Sequence, residues 1–167
     1  RARRRRPEEL TDQVDELAED EEDDQQSRLK SRWAALEKVV GAEPRINSVA
    51  ADLVKHFEER NQGMVSVGQM PGKAMVVAMS RDICVHLYNE IVALRPEWHD
   101  EDPEKGAIKI VMTGSASDKA LLRPHIYSGQ LKKRLEKRFK DPFDPLKLVI
   151  VRDMWLTGFD APCVHTL

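Results

Sequence analysis

Cysteine is scarce in this 167-residue sequence: Cys84 and Cys163 stand far apart, without the C-x-x-C spacing of a metal or redox site. With no signal peptide at the first residues, both are expected to be reduced thiols inside a cell. No apolar run approaches the roughly 20 residues that a membrane-spanning helix needs, so no membrane partner is expected. A phosphate-binding loop is also missing. Gly72-Lys73 lacks the earlier glycine, where Val67 stands, and Ala74 replaces the hydroxyl residue that would meet a metal ion. Gly114-Ser115-Ala116-Ser117 lacks the second glycine of a nucleophile elbow, which argues against a serine hydrolase. His56, His86, His99, His125 and His165 are scattered without the short spacing that lets two imidazoles share a metal, so no metal site is expected. Asp141, Asp144 and Lys147 have the residue types of a nuclease core, but Pro142 and Pro145 impose a turn there instead.

Charge is plentiful, at 34% of residues against roughly 25% in an average domain. It is unevenly placed. Five arginines fall within the first six residues, residues 8–24 hold eleven acids and no Lys or Arg, and residues 119–140 hold eight Lys or Arg against the single acid Glu136. The net charge of -2 therefore conceals opposite blocks and says little about partners. Blocks of this kind are solvated tails more often than sites, although a basic run can also meet phosphate. Residues 1–26 are assigned to a charged, disordered tail or linker, whose abrupt start suggests part of a longer chain.

Residues 27–63 form a helical connector. Leu29, Trp33, Leu36 and Val40 make one stripe that Gly41 and Pro44 end; Asn47 then caps a second helix carrying Val49, Leu53, Val54 and Phe57, closed by residues 58–63. Both stripes are expected to pack on a neighbouring domain or sheet. Residues 64–167 alternate strand and helix. Residues 73–79, 108–112 and 147–151 are short apolar runs suited to strands buried on both faces, and residues 164–167 begin a fourth. Helices are expected from Ile83 to Pro96 and over residues 130–140. The pattern predicts an α/β fold, a parallel sheet with helices on both faces, preceded by a helical segment. Ligands of such sheets bind at the strands' carboxyl ends, here Ser80-Arg81-Asp82, Thr113-Gly114-Ser115 and residues 152–162.

The last of these segments contains Thr157-Gly158-Phe159-Asp160-Ala161-Pro162. A threonine hydroxyl, a glycine that lets backbone approach phosphate, and an acid able to meet a ribose compose a plausible site; a plain turn uses the same residues. Residues 147–162 resemble motif V of superfamily 2 helicases, in the form found in the R (motor and nuclease) subunit of type I restriction-modification enzymes. Residues 73–81, ending Val77-Ala78-Met79-Ser80-Arg81, resemble motif IV, and Ile110-Val111-Met112-Thr113-Gly114-Ser115 resembles the strand and loop between them. The likeness runs from about Ser31 onward.

The resemblance implies an incomplete second RecA-like motor domain that stops before motif VI. It further implies that this domain is part of an ATP-dependent DNA translocase within a type I site-specific deoxyribonuclease, a cytoplasmic defence against foreign DNA in bacteria or archaea. It implies DNA-backbone contacts for Ser80, Arg81 and Thr157, with Thr113 and Gly114 as weaker candidates, and nucleotide contacts for Gly158 and Asp160. Implied partners are double-stranded DNA, the first RecA-like domain and nuclease domain of the same chain, and modification and specificity subunits. ATP and Mg²⁺ would serve the full-length protein, whereas this chain, without Walker A loop, metal-binding acids or arginine finger, is expected neither to bind them nor to hydrolyse ATP alone. The basic stretch with Lys132 and Lys133 is either a DNA-backbone patch or the wet side of an amphipathic helix marked by Leu131, Leu135 and Phe139. Two alternatives remain: a superfamily 2 helicase or translocase without a nuclease, and a non-catalytic α/β binding module.

Overall fold

The computed structural model describes residues 25–155 and 159–166, and the chain divides into two units, Arg1–Val40 and Gly41–Leu167. In the first, residues 25–40 form helix α1, on which Leu29, Trp33, Leu36 and Val39 are exposed.

The second unit opens with α2 (Glu43–Ser66), whose start and end both differ from expectation. Its N-cap is Ala42, not Asn47, and Pro44 lies in the first turn. Proline suits that position because its missing N–H is one the helix cannot bond anyway. Asn47 lies a turn further in, inside the helix. At the far end Gly63 is simply helical. Gly68, with φ +78°, supplies the left-handed residue after the C-cap, and the Gln69 amide returns to the Met64 carbonyl at 2.9 Å. The compact unit thus takes in α2 together with the sheet. Ile46, Ala50, Val54 and Phe57 are its buried stripe, and Arg95 ties α2 to the next helix through paired bonds of 2.6 Å to Glu58.

Four strands follow: β1 (Lys73–Val77), β2 (Ile108–Val111), β3 (Leu148–Val151) and β4 (Val164–Thr166). All pair in parallel in the order β2-β3-β1-β4, confirming the expected sheet. Helix α3 (Arg81–Leu94) carries the chain from β1 past β3 to β2, and α4 (Gly129–Lys140) brings it back from β2 to β3. Crossovers between parallel strands share one hand, so this reversal of direction places α3 and α4 on opposite faces. Strand alternation agrees. Met75, Val111, Val149 and Val151 face Leu135 and Phe139 of α4 and Leu146, while Ala74, Ile108, Ile110, Leu148 and Ile150 point the other way, all buried. Each of these side chains except Ala74 contributes about 1.5–3 kcal/mol when fully withdrawn from water.

The end of α4 is closed by distant groups. Its last carbonyls have no intrahelical donors; Lys73 Nζ donates to the Arg138 carbonyl at 2.9 Å, and Cys163 Sγ lies 3.3 Å from the Phe139 carbonyl and 3.5 Å from that of Lys140. A cation there also suits the negative end of the helix dipole. Burial pushes the Lys73 ammonium below the usual lysine range. Cys84 and Cys163 are both free thiols, and burial pushes Cys84 up to about 12. Among the described residues no helix is long and apolar enough to cross a membrane.

Candidate nucleic-acid interface

Three loops leave the sheet at the strands' carboxyl ends, and side chains fasten them to one another. After β1, Ser80 takes an extended conformation and its Oγ accepts the Ile83 amide at 3.3 Å, which starts α3. Accepting that bond leaves the hydroxyl proton available to a ligand. Arg81 next to it is largely committed: Nη1 donates to the Thr113 carbonyl at 3.0 Å and Nη2 lies 2.8 Å from Asp118 Oδ1. Asp118 is buried, and its other oxygen accepts the Ser115 amide at 2.6 Å. That amide, joined by the Arg81 guanidinium, holds the Asp118 carboxyl below the usual range.

The loop after β2 is joined in turn to the loop after β3. Thr113 Oγ1 donates to Asp153 Oδ2 at 2.7 Å. Gly114 is pressed against a later stretch of its own loop, so that a Cβ there would come within 2.4 Å of Ile126 Cγ2. Arg152 reaches back towards the Met79 carbonyl at 3.5 Å, while nearly half of its side chain (47%) stays exposed. Ser80, Arg81, Thr113 and Gly114 therefore lie at one edge of the sheet. Asp118, Asp153 and Arg152 belong to the same constellation; Arg152 and Asp153 fall within residues 147–162, without a role of their own in the sequence reading, and Asp118 stands outside every motif.

Of the eight cations between residues 119 and 140, five are engaged. Lys119 pairs with Asp82 at 2.6 Å, Arg123 Nε donates to the Asp118 carbonyl, and Arg134 pairs with Glu104. Arg138 grips both Asp144 oxygens at 3.0–3.1 Å, and Lys140 pairs with Glu136 while its Nζ sits 4.8 Å from the centre of the Phe159 ring. Lys132 and Lys133 have no ion-pair partner among the described residues. They occupy the first turns of α4, which begins at the strands' carboxyl end because the helix runs back antiparallel to them. The amphipathic pattern also holds, with Leu135 and Phe139 buried and Leu131 packed beside them.

Thr157 and Gly158 lie outside the described residues. On either side of them, Trp155 and Phe159 stack at 4.9 Å with planes 10° apart, and each also stacks on Phe139 at 6.0 Å. Trp155 takes a left-handed φ of 63°, a conformation costly for a bulky residue and retained only where packing overdetermines it. Asp160 is exposed. Among the described residues no group of three His, Cys, Asp or Glu side chains converges on a metal position. Of the two nucleotide candidates, Gly158 lies outside the described residues, and the exposed Asp160 carboxylate alone does not make a site for ATP or Mg²⁺.

No known family profile matches the chain. It is 60% identical over 131 residues, 78% of its length, to the type I restriction enzyme HindI endonuclease subunit of Haemophilus influenzae. It is 39% identical over 158 residues, 93% of its length, to the putative type I restriction enzyme MjaIXP endonuclease subunit of Methanocaldococcus jannaschii. A second protein of that archaeon, the putative MjaVIIP endonuclease subunit, is 32% identical over 132 residues. The chain spans only 12%, 14% and 11% of these relatives. It is therefore a homologue of one part of type I restriction enzyme endonuclease subunits.

Proposed function

We propose that this chain supplies the second motor lobe of a type I restriction endonuclease subunit, contacting the DNA backbone at the carboxyl edge of its sheet and closing on ATP held by another lobe. The observation that carries this reading is the cross-fastening of three strand-end loops at one edge, in a chain 60% identical to a named endonuclease subunit. Ser80, Thr113, the Gly114 backbone and Thr157 supply neutral donors, while Lys132, Lys133 and the exposed part of Arg152 supply charge. Arg81 acts mainly by holding the Thr113 loop against Asp118, with its remaining N–H groups available to phosphate. Backbone contacts of this kind place a strand without reading its sequence. Gly158 and Asp160 would face the nucleotide, with hydrolysis requiring the rest of the subunit, and DNA cleavage and the modification and specificity subunits belong to the whole enzyme.

The test is DNA affinity of the 167-residue chain as a function of salt. Each lost phosphate contact lowers the slope of log K against log salt by about 0.9 for duplex DNA, so Lys132→Glu with Lys133→Glu should flatten that slope by roughly two. Wild-type chain with no salt-dependent DNA binding, or a double variant with an unchanged slope, would refute the assignment of this face. A helicase or translocase without a nuclease remains the second reading; what favours the restriction subunit is the naming of all three relatives.

A further inference from the structure

The turn joining α4 to β3 is Asp141-Pro142-Phe143-Asp144-Pro145, and it holds Phe143 81% exposed, the highest value among the large apolar side chains described. Single exposed apolar side chains are common and ordinarily need no explanation. This one differs in how its backbone is held. The Phe143 amide donates to Asp141 Oδ1 at 2.9 Å, the Asp144 amide to the Asp141 carbonyl at 3.2 Å, and the Leu146 amide to Asp144 Oδ1 at 2.8 Å. Beneath the turn, Asp144 accepts Arg138 Nε on both oxygens, and Arg138 Nη2 also reaches the Gly106 carbonyl at 3.1 Å. That ion pair is mostly buried, with side chains 15% and 19% exposed. Two prolines restrict φ on either side. Turns facing water favour Gly, Asn, Asp and Ser. A phenyl ring on a backbone already ordered has little entropy to lose on burial, the property of residues that dominate interfaces.

We propose that Phe143 is the anchor by which this unit docks on another part of the same endonuclease subunit, outside these 167 residues. The occupant follows from length: the chain spans 12% of the HindI subunit, so far more polypeptide lies outside the matching segment than within it. The turn sits at the amino ends of the strands, away from the candidate DNA edge, so docking there leaves that edge open. The partner surface has an apolar pocket for one ring, with a basic group at its rim to meet the exposed Asp141 carboxylate. The proposal rests on homology to these subunits and is independent of the DNA and ATP roles.

Hydroxyl-radical footprinting tests it, comparing Phe143 oxidation in the full-length subunit carrying this sequence with that in the 167-residue chain. Oxidation at least about tenfold slower in the full-length subunit is expected. Equal rates overturn the proposal, as does protection that appears only when other subunits are added or only as the short chain self-associates. A second measurement does not depend on the short chain: Phe143→Asp should lower the thermal midpoint of the full-length subunit by several degrees, and an unchanged midpoint overturns the proposal.

Discussion

Trp155 and Phe159 lie within the stretch that resembles a helicase motif, on either side of Thr157 and Gly158, so removing their stack probes packing and site together. Both are half-buried. Aromatic side chains bury about 150–250 Å² when fully enclosed, so half of that is about 100 Å² each, or about 2.5 kcal/mol at 25 cal/mol per Å². Trp155→Ala and Phe159→Ala should each destabilise the chain by about that amount. The pair should not add. Rings 4.9 Å apart and 10° from parallel share a contact worth about 0.5–1.5 kcal/mol beyond area, so the double variant should cost about 1 kcal/mol less than the sum. Urea denaturation followed by far-ultraviolet circular dichroism measures all four proteins, and an unchanged denaturant slope shows that the unfolding reaction is the same. Additivity within about 0.3 kcal/mol would mean that the two rings do not tie the ends of the segment together.

Two titrating groups give further expectations. Lys73 is held below its ordinary value by burial, so between the lowered folded value and about 10.5 the unfolded chain binds more protons than the native one. Its stability should therefore rise with pH through that window, and Lys73→Met should remove that rise; denaturation midpoints from about pH 8 to about pH 10.5 with equal slopes for both proteins would contradict this. Asp118 is shifted the other way, so its stabilisation is present above an unfolded value of about 3.9 and fades as pH falls through the folded value. Asp118→Asn should melt below wild type at neutral pH and converge with it on acidification, and a gap independent of pH would refute the role given to the carboxylate.

Much of the fold was legible because its elements carry local signals. Leu148–Val151 is a continuous apolar run, as a strand covered on both faces requires, and Ser80 is a hydroxyl residue at the mouth of an amphipathic helix, where it caps α3. The boundaries of α2 were ambiguous for a physical reason. Pro44 both stops a preceding helix and favours the first turn of the next, and choosing between Gly63 and Gly68 as the terminator requires knowing which has positive φ. At the candidate site the sequence marks which loops meet, but not how. Arg81 finds Asp118 and Thr113 finds Asp153, 37 and 40 residues away; Asp118 stands in no pattern, and Asp153, though inside the motif-like stretch, carries nothing that marks Thr113 as its partner. Lys73 and Lys109 are likewise hidden among strand residues; Lys109 is 2% exposed and its ammonium bonds to the Asp100 and Asp102 carbonyls.

The basic stretch shows where counting charge along a sequence misleads and where it still informs. Residues 119–140 contain one acid, so a count within that window predicts a strongly positive face. Folding brings Asp82, Glu104 and Asp144 from outside it to Lys119, Arg134 and Arg138. An exposed ion pair contributes only about 0–1 kcal/mol to stability, but it cancels the net positive charge offered to a polyanion at that point. The field that remains is concentrated on the cations left without acids. Two of these, Lys132 and Lys133, occupy the start of α4, which lies towards the loops holding Ser80, Thr113 and Arg152. Lys137, exposed in the last turn, likewise has no ion-pair partner among the described residues. What separates the two ends is their surroundings: the start of α4 lies beside the strand-end loops proposed to meet phosphate, while the other end is closed by Lys73 and Cys163 and followed by the ordered turn at Phe143.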